Sequence, residues 1–153
     1  MIFDFKPGNE IYVSRQDANN PLSACSKYSF HLDDAEWPSV EHYYQAMKFE
    51  DDETREEIRL ALHPIDAARL AKKYKKRIRK DWVKIKATMM TRGTYIKCRT
   101  HQEVANALLE TGDNKIVETS QYDYYWGCGR DGRGKNTYGL MLMDIRDKLA
   151  ELQ

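Results

Sequence analysis

Cysteine is scarce in this chain: Cys25, Cys98 and Cys128 are its only three, odd in number and far apart. That argues against a disulfide framework and for a reducing compartment, so a cytoplasmic protein is expected. No CxxC or HxxxH pair occurs, and His31, His42, His63 and His101 are scattered. A metal centre is therefore not expected, nor is a cofactor. Net charge is also lacking: 25 Lys plus Arg stand against 24 Asp plus Glu. Such a balance gives no global field that would favour nucleic acid or a membrane surface. No stretch approaches the ~20 apolar residues of a membrane span. The opening Met1-Ile-Phe-Asp-Phe-Lys-Pro7 has neither the basic region nor the long apolar run of a signal peptide. Internal repeats, linkers and low-complexity tracts are missing too.

What is present is a core-forming chain. Its 153 residues suit one domain, and ten Tyr with three Trp offer large rings for burial. At this length roughly two-thirds of the unfolded surface is buried. Glu10 to Ser14 and Tyr28 to Leu32 alternate as half-buried strands, with Asn19-Asn20-Pro21 turning between them. Helices dominate from Ser39, which is placed to cap a helix reaching about Phe49. A second helix is expected from about Glu53 to Leu62, and Pro64 can open a third. Asp81 is placed to cap a longer helix with Trp82, Ile85, Met89 and Ile96 at helical spacing. Thr100-His-Gln-Glu103 has the form of a capping box, and Gly112 suits the stop that follows. Lys115 to Thr119 reads as a short strand. The last helix starts near Asn136 and buries Leu142, Ile145, Leu149 and Leu152.

The segment Trp37-Pro-Ser-Val-Glu-His-Tyr-Tyr-Gln-Ala-Met-Lys-Phe49 carries the strongest chemical signal. On a helix, Glu41, Tyr44, Gln45 and Lys48 fall on one face, where a soluble helix usually keeps its apolar stripe. A carboxylate and an amine occupy that stripe instead. A buried lysine there has a lowered pKa and becomes a better nucleophile.

Two other features weigh less. Lys72 to Lys80 carries seven positive charges in nine positions. It reads first as a solvated helix end, with nucleic acid as the rival reading and Arg79 as a single phosphate ligand. The loop Gly127-Cys-Gly-Arg-Asp-Gly-Arg-Gly-Lys135 imitates both a dinucleotide fingerprint and a P-loop. The first lacks the strand before it and the helix within it, and the second has Asn136 where Ser or Thr should stand. Its glycines still let backbone N–H groups approach an anion, as an alternative to a plain turn. Cys128 lacks any orienting partner in sequence and reads as a loop thiol.

The Trp37–Phe49 block resembles the signature of the NADAR family, the YbiA-like N-glycosidases. So do Leu108-Leu-Glu-Thr-Gly-Asp113, Ile116-Val-Glu118, Asp123-x-x-Trp-Gly-x-Gly129 and Gly134-Lys-Asn-x-x-Gly-x-x-Leu-Met143. The resemblance covers about residue 22 to the C-terminus. It implies an α+β fold: a compact, mostly helical single domain over residues 1–153, with a few short N-terminal strands. It also implies cleavage of an N-glycosidic bond between a ribose and a base. The substrates it implies are ribosylamino-pyrimidine phosphates, the early intermediates of riboflavin synthesis. Carried onto this sequence, the catalytic residues are Glu41, Lys48 and Asp123. Trp126 and Asn136 fall beside Asp123 in the facing loop as expected substrate-binding residues, and the readings of the helix face, the basic run and the glycine loop add Tyr44, Arg79 and Gly127 to them. The family usually has Leu-Ser-Asn-Phe where this chain has Leu22-Ser-Ala-Cys25, a change that bears on substrate choice more than on reaction.

A ribosylamine can lose its amine through an oxocarbenium ion, with Glu41 and Asp123 as acid and carboxylate. It can also lose it by ring opening and lysine capture, with Glu41 moving protons; the amine on the α-helical face favours this route. The expected partner is a small phosphorylated ribosyl substrate, and no membrane. Two alternatives stay open: hydrolysis of ADP-ribosyl-guanine in nucleic acid, and a non-catalytic ADP-ribose-binding module.

Overall fold

The structure, a computed structural model, describes residues 8–153. The signal-peptide argument drawn from Met1 to Pro7 lies outside the described residues. In chain order the elements are β1 (Ile11–Val13), β2 (Phe30–Leu32), β3 (Ala35–Trp37), α1 (Val40–Ala46), α2 (Asp52–Arg59) and α3 (Pro64–Lys73). A 3-10 turn at Lys75–Arg77 follows, then α4 (Trp82–Thr100), α5 (Gln102–Leu109), β4 (Ile116–Glu118) and α6 (Thr137–Glu151). The fold is α+β and mostly helical, as expected. No helix among the described residues is long and apolar enough to cross a membrane. The chain divides into two compact units, one of them Ala24–Thr100 and the other comprising residues 8–23 and 101–153 among those described.

In the Ala24–Thr100 unit, β2 and β3 form an antiparallel hairpin with Phe30 opposite Trp37 and Leu32 opposite Ala35. The second strand was not foreseen from sequence. Its turn residues Asp33 and Asp34 have φ of 52° and 61°, a left-handed pair that a two-residue hairpin requires and that usually calls for Asn or Gly. Asp33 is anchored there: its carboxylate accepts from Tyr43 Oη and from Arg92 Nη2, each at 2.7 Å. Phe30 and Trp37 then pack edge-on against the Tyr43 ring.

Helix α1 is the centre of this unit, and every residue from Val40 to Ala46 is buried. Ser39 caps it as expected, its Oγ accepting from His42 N. Gly93 sets how closely α4 approaches, since a Cβ there would stand 3.2 Å from Tyr43 Cδ2 and 3.4 Å from Val40 Cγ1. That contact also sets the rotation of α4. Residues 90, 94 and 97 share the stripe of 93, so Met90, Thr94 and Lys97 are buried with it. The expected face was Trp82, Ile85, Met89 and Ile96, and of these only Trp82 is buried. Helix α2 begins after Asp51, which accepts from Thr54 N, and ends at Arg59 rather than near Leu62. Asp81 directs its carboxylate to Arg79, which donates from Nε at 2.7 Å and Nη2 at 3.2 Å.

In the other unit, β1 and β4 pair in parallel, with Ile11 opposite Ile116 and Val13 opposite Glu118. The capping box at Thr100 does not form. Thr100 stays in α4 and donates to Ile96 O, while α5 starts after His101 without a side-chain cap. Helix α6 buries Tyr138, Met141, Leu142, Ile145 and Leu149, and Tyr138 Oη donates to Leu22 O at 2.7 Å. Leu152, expected inside, is exposed beyond the end of that helix.

Candidate active site

Glu41 is 5% exposed and Gln45 is 8% exposed, one helical turn apart on α1. Burying a carboxylate removes its hydration and requires partners in exchange. Glu41 Oε1 accepts from Gln45 Nε2 at 2.6 Å, and Oε2 receives the Cys25 thiol at 3.8 Å. The Glu41 backbone N–H donates to Ala24 O at 2.9 Å, which fixes the Ala24–Ser26 segment along the helix. Gln45 Oε1 is buried and has no hydrogen-bond partner. Buried acceptors are nearly always satisfied, so this one is an open position beside a carboxylate, suited to a ligand N–H or O–H. His42 is a structural neighbour: its Nδ1 meets Ser39 Oγ at 2.7 Å and its Nε2 meets Ala61 O at 2.9 Å. Burial, before any other influence, pushes its pKa down and keeps the ring neutral.

Lys48 is half-buried and holds its ammonium 5.6 Å from the centre of the Tyr44 ring. Tyr44 in turn packs against Trp82, with ring centres 5.1 Å apart. Trp82, buried at the start of α4, therefore backs the ring over which Lys48 sits. Arg79 N donates to Lys48 O at 2.8 Å, which ties the basic turn to the end of the α1 segment. The Arg79 guanidinium itself lies along Asp81.

Lys97 is the residue that sequence reasoning passed over. It is 1% exposed, and its Nζ donates to Ser26 Oγ at 2.8 Å. Burial pushes its pKa down to about 8, opposed by the nearby Cys98 and Cys25.

In the other unit, Asp123 organises the loop that follows β4. Its Oδ1 accepts from Trp126 N at 2.8 Å and Tyr125 N at 3.0 Å, and its Oδ2 accepts from Arg15 Nη2 at 2.8 Å. Arg15 Nε lies 3.9 Å from Glu118 Oε1 and has no hydrogen-bond partner of its own. Arg15, two residues past β1, was not among the expected residues, and nothing in the local sequence distinguishes it. Trp126 is buried, edge-on to both Tyr125 and Tyr138. Asn136 has φ of 53° and turns its side chain away from α6. Its Oδ1 accepts from Glu118 N and its Nδ2 donates to Ile116 O, both at 2.8 Å, so the side chain acts as a strand beside β4.

The glycine loop keeps its amides to itself. Gly127 N donates to Asp123 O, Gly129 N to Ser120 O, Gly132 N to Gly129 O and Gly134 N to Cys128 O. These four N–H groups therefore do not form the anion cradle that the spacing suggested. Gly127 and Gly134 are required sterically, since a Cβ at Gly134 would stand 2.1 Å from Gly127 O. Across the loop, Lys135 N donates to Tyr124 O, Thr137 N to Tyr125 O and Tyr138 N to Trp126 O. Among the described residues no three of His, Cys, Asp and Glu gather as metal ligands would.

Known proteins are similar to this chain. The N-glycosidase YbiA of Escherichia coli is 38% identical over 139 residues, covering 91% of this chain and 87% of that protein. The chloroplastic riboflavin biosynthesis protein PYRR of Zea mays is 39% identical over 123 residues, covering 74% of this chain and 20% of that protein. The NMR structure of E. coli YbiA superposes with a TM-score of 0.83 at 36% identity, covering 99% of this chain and 89% of that one. The NADAR domain model matches residues 11–150. With that match, and with relatives this close over most of its length, the chain belongs to the NADAR family.

Proposed function

We propose that this protein is an N-glycosidase hydrolysing the N-glycosidic bond of ribosylamino-pyrimidine phosphates, early intermediates of riboflavin synthesis. The observation that carries the reading is the buried Glu41–Gln45 pair with an open acceptor beside it. A carboxylate held by a neutral amide can gain and release a proton, which the departing base nitrogen requires. Gln45 Oε1 accepts from a donor of the substrate. The N-glycosidase name of the bacterial relative and the riboflavin name of the plant relative supply the substrate class.

The remaining roles follow from chemistry. Lys48, a cation over the Tyr44 ring, assists departure of the base. Asp123, paired with Arg15, is the carboxylate that stabilises positive charge on the sugar. Trp126 stacks on the base or ribose, and Gly127 and Asn136 hold the backbone on which that ring is mounted. Arg79 binds the substrate phosphate by exchanging it for Asp81. The cytoplasm, with its reduced thiols, is the compartment this reading takes.

A second reading, hydrolysis of ADP-ribosyl-guanine in nucleic acid, is favoured by one feature: Lys72, Lys73, Lys75, Lys76, Arg77 and Lys80 are all exposed. The test offers the protein ribosylamino-pyrimidine phosphate and ADP-ribosylated guanine DNA and measures released base. Turnover of the small molecule, lost in Glu41→Gln, is the expected result. Turnover of the DNA alone, falling steeply with salt, selects the second reading; binding of ADP-ribose without turnover of either rejects both.

A further inference from the structure

The roles above leave the amine of Lys97 unused. It lies on the buried stripe of α4, bonded to Ser26 Oγ at 2.8 Å and 5.4 Å from the centre of the Tyr28 ring. Lysine is almost never fully buried, because its charged form loses hydration that few interiors replace. Burial here brings the pKa from 10.5 to about 8. The neutral amine at pH 7 thereby rises from a few parts in ten thousand to roughly a tenth of the population. Amines tuned in this way are the ones that add to carbonyl and imine carbons.

Position supports chemistry. Ser26, which holds Nζ, follows Cys25, whose thiol meets Glu41 Oε2, and Ala24 O accepts from Glu41 N. Three consecutive residues thus link the amine of α4 to the carboxylate of α1. Lys48, by contrast, lies past the end of α1 at Ala46, with its side-chain nitrogen over the Tyr44 ring.

We propose that Lys97 is the catalytic amine that captures the ribosyl carbon C1, forming a Schiff base during cleavage. The proposal rests on the N-glycosidase reading and names the nucleophile within it. Ring opening breaks C1–O4: the substrate nitrogen pair forms C1=N, and the nitrogen proton passes to O4. Neutral Nζ then adds to C1, the C1=N pair returns to the substrate nitrogen, and Glu41 protonates that nitrogen. Nζ gives a proton back to Glu41, which delivers it to the base amine as the C1–N bond breaks and C1=Nζ forms. Water adds to C1 with its proton taken by Glu41. In the collapse to the aldehyde, Nζ takes the proton from Glu41 as the C1–Nζ bond breaks, and the C1 hydroxyl gives its proton to Glu41 as C1=O forms. The sum is one water consumed and one base amine and one sugar aldehyde formed, with both residues restored.

The test is reductive trapping of the wild-type protein, turning over ribosylamino-pyrimidine phosphate in cyanoborohydride, followed by peptide mass mapping. An adduct on Lys97 is expected, retained in Lys48→Arg and lost in Lys97→Arg and Lys97→Met. Base release in both Lys97 variants should fall at least ~10²-fold, with circular dichroism reporting that they fold. Because mapping uses the wild type, a variant that fails to fold leaves the adduct position as the deciding result. An adduct on Lys48 alone, or turnover with no adduct on Lys97, overturns the assignment while the N-glycosidase reading stands. Equal labelling of Lys97 by the free sugar phosphate also overturns it. Failure of the folded wild type to release base from any ribosylamine sinks the reading beneath it.

Discussion

Gln45 Nε2 donates to Glu41 Oε1 at 2.6 Å across one turn of α1. That single bond orients both groups. It requires the amide to present nitrogen to the carboxylate, so Gln45 Oε1 faces the position without a donor. A proton on Oε1 would reverse that bond and turn the amide round, whereas a proton on Oε2 would leave it in place.

Removing the carboxylate removes the proton carrier. Glu41→Gln should lower kcat for base release by at least ~10². The backbone bond to Ala24 O survives the change, so thermal unfolding should move little. Near-normal turnover in steady-state assays would reject the role.

Gln45→Leu removes the open acceptor and the amide that holds Glu41, at similar size. Losing one hydrogen bond to substrate is worth about 1 kcal/mol, so kcat/KM should fall roughly fivefold through KM. An unchanged KM would assign Gln45 to structure alone.

Asn136→Ala tests the side chain that acts as a strand. It removes two bonds to β4 and leaves Glu118 N and Ile116 O buried without those partners. It also places Ala at a left-handed φ. Together these should cost about 3 kcal/mol, read as a lower urea midpoint with unchanged slope. Asn136→Gly, which tolerates the backbone, should cost less than Asn136→Ala by up to about 1 kcal/mol.

Lys97 makes stability depend on pH. Its folded pKa is lowered to about 8 from 10.5. Between those values the unfolded chain holds a proton that the native chain has released, so stability rises with pH there. Below pH 8 both states are charged, and the cost of burying the ammonium is present in full. Cys98, pushed up to about 11 from 9.0 mainly by burial, acts in the opposite sense above pH 9. The window between 8 and 9 isolates the lysine. Urea unfolding of wild type relative to Lys97→Met should gain about 1 kcal/mol from pH 8 to pH 9; a flat difference would show that the amine is not depressed.

The sequence was most legible where local chemistry decides the outcome. Ser39 as a cap, Pro64 as a helix opener and the strand at residues 116–118 are all short-range events, and all are present. The polar row on α1 was legible because charge on a helix stripe violates the ordinary pattern. What escaped depends on distant partners. The Asp33–Asp34 turn is held by Tyr43 and Arg92, and no local signal announces that. Lys97 is buried because Gly93 rotates α4 toward Tyr43 and Val40, against the apolar spacing of its own sequence. Thr100 matched a capping pattern yet had Ile96 O within reach one turn back.

The loop after β4 has a consequence for protein engineering. Its two limbs are laced from Tyr124 through Trp126 on one side to Lys135 through Tyr138 on the other. Residues 130–133 form an exposed tip outside that lacing. An epitope or affinity tag spliced into the tip would ride on a braced frame and leave Asp123 and Asn136 in register. The same graft placed between Tyr124 and Trp126 would unlace the frame one residue at a time.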